Sequence, residues 1–68
     1  MVPNYANLWK LLIDKRIKKS ELKEACKITP ATYARLNRNG FVSLDVLARI
    51  CSYLQCDIGD IMSFEAVE

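Results

Sequence analysis

The stretch KITP at residues 27–30 constrains the fold of this chain more than any other, because a helix cannot run unbroken through it. Proline disfavours helical geometry in the residue before it, so any preceding helix must end before Thr29. Threonine is a preferred N-cap, and proline suits the first helical position, where its missing N–H needs no partner. The sequence therefore predicts one helix that ends at Ala25 or Cys26 and another that begins at Pro30.

Helical patterns flank this break on both sides. The preceding helix is predicted to begin within residues 18–20, with lysines and glutamates alternating on its outer side. The following helix has Tyr33 and Leu36 one turn apart and stops at Asn39-Gly40, a pair suited to a C-terminal cap. Two short helices joined by so tight a turn form a helix-turn-helix, here at about residues 18–39.

Three further helices are predicted around this motif. The first follows Asn4 as its N-cap and runs to about Arg16. The fourth begins after Ser43 and carries apolar residues on two faces, so we expect it to be buried on both. One face comprises Leu44, Leu47, Ala48, Cys51 and Leu54, and the other comprises Val46, Ile50 and Tyr53. Asp57 caps a short fifth helix. The chain is thus expected to be one compact all-α domain, residues 1–68, with five helices.

Composition narrows the classes of function. With 51% apolar and 26% charged residues the chain is ordinary for a globular protein, which argues against disorder. A chain of 68 residues has a thin core, and few chains of this size also hold an enzyme's pocket. It has no histidine, no Cys–His arrangement and no glycine-rich phosphate loop, so we expect neither enzymatic activity nor a cofactor.

The cysteines and the hydropathy pattern indicate the compartment. There are three cysteines, none in a CxxC pair, and without histidine a tetrahedral zinc site lacks its usual ligands. We expect reduced thiols and no bound metal. No apolar run approaches the roughly 18 residues of a membrane span, and no signal-peptide pattern is visible. The expected location is therefore cytoplasmic, with no membrane partner.

Charge is unevenly distributed along the chain. Nine basic and three acidic residues lie from Lys10 to Arg38, whereas one basic and five acidic residues follow, ending in an acidic tail at residues 65–68. This asymmetry suits a protein that holds one face to a polyanion. Many solvated helical surfaces are also lysine-rich, so charge alone leaves an ordinary soluble surface open as the alternative.

Two segments resemble a known family. Residues 17–40, IKKSELKEACKITPATYARLNRNG, are similar to the helix-turn-helix of the phage Cro and repressor type, also called the XRE family. Residues 42–64, VSLDVLARICSYLQCDIGDIMSF, resemble that family's fourth and fifth helices, and the short stand-alone bacterial regulators are the most similar members. The resemblance implies a five-helix lambda-repressor-like domain. It also implies sequence-specific binding of double-stranded DNA by a transcriptional regulator, expected to be a repressor and to lie at the nucleoid when it is bound to DNA.

Members of this family lay the third helix in the major groove, which implies a recognition helix at residues 30–38. The implied base-contacting residues are Pro30, Ala31, Thr32 and Arg35. The implied phosphate-binding residues are Lys18, Lys19, Thr29, Asn37, Arg38, Asn39 and Gly40. Arg35 is the most important of these expectations, because a guanidinium can bond both O6 and N7 of guanine. Its alternatives are a solvated surface charge or an ion pair within the domain.

Two lysines depart from the family pattern. Lys23 stands where the family often has a small alanine, so its side chain must extend past the recognition helix to reach water. Lys27 stands where the family often has the glycine of the turn. It must either adopt a left-handed backbone or belong to a different turn. Both positions bear on the angle between the two helices.

The family also implies a mode of assembly. Such modules commonly bind as symmetric dimers on near-palindromic operators, with half-sites one helical turn apart. We expect a homodimer contact in the less basic C-terminal part, formed by Ile58, Ile61, Met62 and Phe64. The alternative function is an antitoxin-like or other protein-interaction module, in which the C-terminal helices or the acidic tail bind a protein partner.

Overall fold

The structure is a computed structural model that describes residues 1–67. Within them the chain forms four α-helices, one 3-10 turn and a two-stranded antiparallel sheet. The elements are β1 (Val2–Asn4), α1 (Ala6–Lys15), α2 (Lys19–Ala25), α3 (Pro30–Asn37), α4 (Leu44–Leu54), the 3-10 turn (Ile58–Asp60) and β2 (Ser63–Glu65). The mostly helical class is confirmed, but the prediction of five helices and no sheet is wrong.

The helix-turn-helix forms where the KITP stretch predicts it. Thr29 is the N-cap of α3, with its Oγ1 accepting the N–H of Thr32 at 3.3 Å, and Pro30 is the first helical residue. At the other end Asn39 takes the left-handed conformation, with φ 57°, and no glycine has positive φ. Asn39 and Gly40 therefore follow the end of α3 as predicted, but the left-handed residue is the asparagine and not the glycine.

The predicted fifth helix is a single 3-10 turn. Asp57 does cap it, since its carboxylate accepts the N–H of Ile58 at 2.8 Å, and its own N–H donates to Asp60 at 3.0 Å. The chain then becomes extended, and β2 pairs with β1 so that Pro3 lies opposite Phe64. This pairing joins residues about sixty positions apart, which a local pattern cannot indicate. Glu68, the last residue of the predicted acidic tail, lies outside the described residues.

The sheet also changes the start of α1. Asn4 lies in β1 rather than at the N-cap, and Tyr5 occupies the cap position, where its side chain makes no capping hydrogen bond. Asn4 still serves the helix, since its Oδ1 accepts the N–H of Ala6 at 2.8 Å. Its amide nitrogen donates to Glu65 at 2.9 Å, which links the two strands.

One apolar core lies among the four helices, and it holds α3 by one face. The largest fully buried side chains are Tyr5, Leu8, Leu12, Leu22, Leu36, Ile50, Leu54 and Ile61. Within residues 1–67 no buried side-chain nitrogen or oxygen lacks a hydrogen-bond partner. The surface of α3 opposite Leu36 is thereby left to solvent.

The predicted burial of α4 on two faces holds only in part. Val46 and Ile50 of one face and Leu47 and Leu54 of the other are buried, whereas Leu44 is 72% exposed and Ala48 is also exposed. The predicted fifth helix is only a three-residue 3-10 turn, which leaves the end of the face that carries Leu44 and Ala48 uncovered. An apolar surface therefore remains open at the N-terminal end of α4.

Candidate nucleic-acid interface

The N-terminal half of α3 presents an open surface. Pro30 and Ala31 are exposed and Thr32 is half-buried, while Leu36 on the opposite side is wholly buried. Arg35 is exposed, and its guanidinium makes neither a hydrogen bond nor an ion pair within residues 1–67. The alternative of an ion pair within the described part of the domain is thus excluded. Arg35 retains all its donors for an external acceptor.

Two threonines at the start of α3 bond to each other. The Thr29 hydroxyl donates to Thr32 Oγ1 at 3.1 Å and accepts the N–H of Thr32 at 3.3 Å. The Thr29 hydroxyl is thus engaged in the helix cap. The Thr32 hydroxyl is half-exposed and lies beside it at the open start of α3.

A second set of polar groups lies where α2 meets the end of α3. The Lys19 ammonium is 4.1 Å from the centroid of the Trp9 ring and donates to Asn37 Oδ1 at 3.3 Å. The amide nitrogen of Asn37 donates to the Tyr33 carbonyl at 3.1 Å. Lys18 precedes α2 as its N-cap and is exposed. Lys19 is therefore held at a defined place on the surface rather than extended into solvent.

The two lysines that depart from the family pattern are accommodated without breaking the motif. Lys27 has φ 53°, so the left-handed alternative is the one that occurs. The N–H of Ile28 donates to the Lys23 carbonyl at 2.9 Å and closes the end of α2. Lys23 is half-buried, and its ammonium lies 5.1 Å from the centroid of the Tyr33 ring. Its stem runs beside the recognition helix, as snorkelling predicts.

The loop after α3 is fastened to the core by Tyr5. Its N–H donates to Asn39 Oδ1 at 3.1 Å, and its hydroxyl donates to the Gly40 carbonyl at 2.8 Å. The ring is 1% exposed, and this burial raises the pKa of Tyr5 more than the nearby Val42 backbone lowers it. Sequence analysis missed this residue, because Tyr5 lies outside the periodic stripe of α1 and its partners are more than thirty positions away.

Gly40 makes a close approach to α3. Its N–H donates to the Arg35 carbonyl at 2.7 Å, and a Cβ placed on it would lie 3.2 Å from Arg35 Cβ. Its carbonyl is already bonded to Tyr5. Both backbone groups of Gly40 are therefore used inside the protein. The residue thus shapes the loop, and its role in phosphate binding stays a prediction.

The cations of the helix-turn-helix lack acidic partners. Among residues 1–67 the only ion pair joins Arg49 and Asp45, both in α4, at 3.1 Å. Arg38, at the C-terminal end of α3, is exposed, as is Arg35 within the helix. Uncompensated positive charge around an open helix face is the electrostatic pattern of a protein that binds nucleic acid.

A family model agrees with this geometry. The model of the Cro/C1-type helix-turn-helix DNA-binding domain matches residues 7–66. The chain belongs to the Cro/C1-type helix-turn-helix family. The resemblance drawn from the sequence is confirmed, and so is DNA as the partner of the domain.

A solved structure gives the same picture. The crystal structure of the transcriptional regulator VanUg, form II, is similar with a TM-score of 0.89 and 52% sequence identity. The match covers 91% of this chain and 83% of that one. A comparison with curated proteins finds no match. This Cro/C1-type domain thus resembles a transcriptional regulator in both sequence and fold, which supports a role in transcription.

Two features bear on partners other than DNA. Of the four residues expected at a dimer contact, Ile61 is wholly buried and Met62 is 8% exposed, so both belong to the core of the single chain. Ile58 and Phe64 are exposed. Separately, the described helices include none that is long and apolar enough to cross a membrane.

Proposed function

We propose that this Cro/C1-type protein is a sequence-specific repressor that inserts α3 into the major groove of its operator. The observation that carries the proposal is the exposed Arg35 without an internal partner, beside the open residues that begin the same helix. Its guanidinium bonds O6 and N7 of a guanine, a contact worth about 1–3 kcal/mol of discrimination. Ala31 contacts a thymine methyl, and Thr32 donates its hydroxyl proton to a base or a phosphate.

Phosphate contacts near the start of α2 and the end of α3 fix the register of the protein on DNA. Lys18 and Lys19 lie at the start of α2, and Asn37, which is bonded to Lys19, lies with Arg38 and the free amide nitrogen of Asn39 at the end of α3. Pro30 lacks an N–H and Thr29 is the N-cap of α3, so these two residues shape the helix end. With few base-specific donors on α3, phosphate contacts and DNA shape carry a large share of the binding.

The operator-bound form is proposed to be a homodimer. The apolar patch consists of Phe41, Leu44, Ile58 and Phe64, whose exposed fractions run from 37% to 72%. Phe41 follows directly on the loop that closes α3, so a second copy packed on the patch lies beside the DNA-binding surface. A single module buries little DNA surface, and two modules on one near-palindromic operator supply useful affinity. The patch replaces the interface expected from sequence and keeps its two exposed members.

Selection of sites from a random duplex pool tests the base contact. The winning duplex is titrated by fluorescence anisotropy at several salt concentrations with wild type, Arg35→Ala and the matched control Arg38→Ala. We expect Arg35→Ala to lose about 1–3 kcal/mol and to relax one base position, and Arg38→Ala to weaken all duplexes alike. If no consensus emerges and binding merely fades with salt, only the sequence-independent phosphate contribution is present and the proposal is wrong.

Light scattering coupled to gel filtration, with and without the operator, tests the dimer. Leu44→Glu places a charge in the patch, while Ile13→Glu changes an equally exposed apolar residue of α1 and serves as control. We expect Leu44→Glu alone to abolish the dimer, and the selected half-sites to lie about 34 Å apart. A wild-type monomer at high micromolar concentration, both free and on DNA, overturns the dimer. It would favour the alternative in which the patch binds another protein.

A further inference from the structure

Three helices meet at one ammonium group of the DNA-binding surface. Lys19, the first residue of α2, has its Nζ 4.1 Å from the centroid of the Trp9 ring in α1. The same Nζ donates to Asn37 Oδ1 in the last turn of α3 at 3.3 Å. Among residues 1–67 it has no acidic partner. The charge is thus fixed in place by neutral groups and remains uncompensated.

We propose that Trp9 is a positioning residue for DNA binding, whose indole face holds the Lys19 ammonium where a phosphate of the DNA backbone binds. The proposal rests on the proposed function, since it concerns one phosphate contact of that complex. Trp9 itself need not touch DNA. Tryptophan is the aromatic ring that attracts cations most strongly, and an ammonium over its face keeps N–H groups free for an anion.

The benefit of such a contact is preorganisation. A lysine side chain has four flexible carbons, and ordering it on binding removes rotamer freedom from the complex. When the Trp9 ring and the Asn37 oxygen already hold the ammonium in the free protein, the lysine side chain loses less rotamer entropy on binding DNA. The contact also links α1 to the helix-turn-helix, so the charge keeps a fixed position relative to the recognition helix.

The burial of Trp9 distinguishes this role from simple core packing. Its neighbours Leu8 and Leu12 are buried to 2% exposure or less and fill the core on this side of α1. Trp9 is only partly buried, so one part of the ring packs while another faces the lysine at the surface. Lys23 over Tyr33 is a looser pair, at 5.1 Å, and no hydrogen bond from its ammonium to an α3 side chain supports it.

A double-mutant cycle on the selected operator tests the proposal. The dissociation constants of wild type, Trp9→Leu, Lys19→Met and the double variant are measured by anisotropy at several salt concentrations. We expect Trp9→Leu to weaken binding about two- to fivefold when Lys19 is present, and to have no further effect beside Lys19→Met. Lys19→Met should lower the salt slope by about one, as the loss of one phosphate contact does. The charge control is Lys10→Met, at an exposed lysine of α1 whose ammonium makes neither a cation–π contact with Trp9 nor a hydrogen bond to Asn37.

Trp9→Phe guards against a folding defect, because it keeps an aromatic face at the same place. We expect Trp9→Phe to bind between wild type and Trp9→Leu. Trp9 is also the sole tryptophan of the chain, so its emission reports on the site directly. Addition of operator should change that emission in wild type and leave it unchanged in Lys19→Met.

The outcomes separate this proposal from the function on which it rests. If Trp9→Leu weakens binding equally with and without Lys19, Trp9 acts through the fold alone and the positioning role is overturned. It is also overturned if Lys19→Met leaves affinity unchanged while Arg35→Ala relaxes specificity, a result that upholds the proposed function. Failure of the proposed function would give a different result. In that case the selection from random duplexes yields no consensus sequence, so Arg35→Ala has no specificity to relax.

Discussion

The hydroxyl of Tyr5 offers the sharpest test of how the fold supports the DNA-binding surface. Tyr5→Phe keeps the buried ring and removes only the bond to the Gly40 carbonyl, which is 2.8 Å long. A hydrogen bond of this kind contributes about 0.5–1.5 kcal/mol, and an unsatisfied buried acceptor costs about 1–3 kcal/mol. We therefore expect the free energy of unfolding to fall by about 1–2 kcal/mol. For a domain of this size each kcal/mol lowers Tm by roughly 4–8 °C.

The assay is thermal unfolding followed by circular dichroism, with Tyr53→Phe as the matched control. Tyr53 is 42% exposed and its hydroxyl makes no hydrogen bond within residues 1–67, so the same change there should leave Tm nearly unaltered. The loop contact also predicts weaker operator binding for Tyr5→Phe at a temperature where the variant remains folded. Equal Tm shifts in the two variants would refute the reasoning, because burial and bonding would then make no difference.

Alkaline pH gives an independent measure of the burial of the same hydroxyl. Burial raises the pKa of Tyr5 above its ordinary value of 10.0, so the folded state keeps the proton to higher pH than the unfolded state does. The stability that depends on this proton is complete below the unfolded pKa and is lost as pH rises through the folded one. Tyr5→Phe should therefore lose less stability than wild type as pH rises above 10.0. An identical decline in both proteins would contradict the assignment.

Three further predictions concern backbone strain, close packing and thiols. Lys27→Gly should raise the free energy of unfolding by up to about 1 kcal/mol, because glycine adopts the left-handed φ of 53° without strain. A Tm below that of wild type would contradict this prediction. Gly40→Ala should destabilise the protein by about 1–3 kcal/mol through overpacking against α3. Gly59→Ala is the control, since a Cβ there has no neighbour within 4 Å, and it should leave stability unchanged. Equal Tm values for the two variants would count against the close approach of Gly40 to α3. Burial raises the pKa values of Cys26 and Cys51 above 9.0. Alkylation of both thiols, followed by mass spectrometry, should therefore be slow at pH 7 and accelerate only above about pH 9, and the more deeply buried Cys26 should react more slowly than Cys51. Fast labelling of Cys26 at pH 7 would show an open core.

Local signals sufficed for most of the candidate site. The N-cap at Thr29 and proline at the next position are decided within one helical turn, so their prediction held without any tertiary information. The same is true of Ser43, whose Oγ accepts the N–H of Val46 at 3.3 Å. Residues that begin α3 are exposed because Leu36 on its other side is buried, and that periodicity is visible in the chain.

Other features depended on contacts between residues that are distant in the chain. Two faces of α4 look equally apolar in sequence, and only the absence of a covering helix decided that Leu44 stays exposed. Ile61 was expected at a dimer contact, whereas the fold buries it in the core of the single chain, because nothing local indicated that the chain turns there into a strand. Likewise, no spacing rule places the Lys19 ammonium on the Trp9 ring.

The sequence by itself determined where helices begin and end around the central turn, which face of α3 is exposed to solvent, and which family the chain belongs to. These are short-range properties, set by caps, proline geometry and a 3.6-residue period. Only the tertiary structure decided that Tyr5 fastens the loop after α3, that two terminal strands pair, and that the N-terminal end of one face of α4 remains open. Those outcomes arise from hydrogen bonds and packing between segments tens of residues apart, for which the local pattern carries no signal.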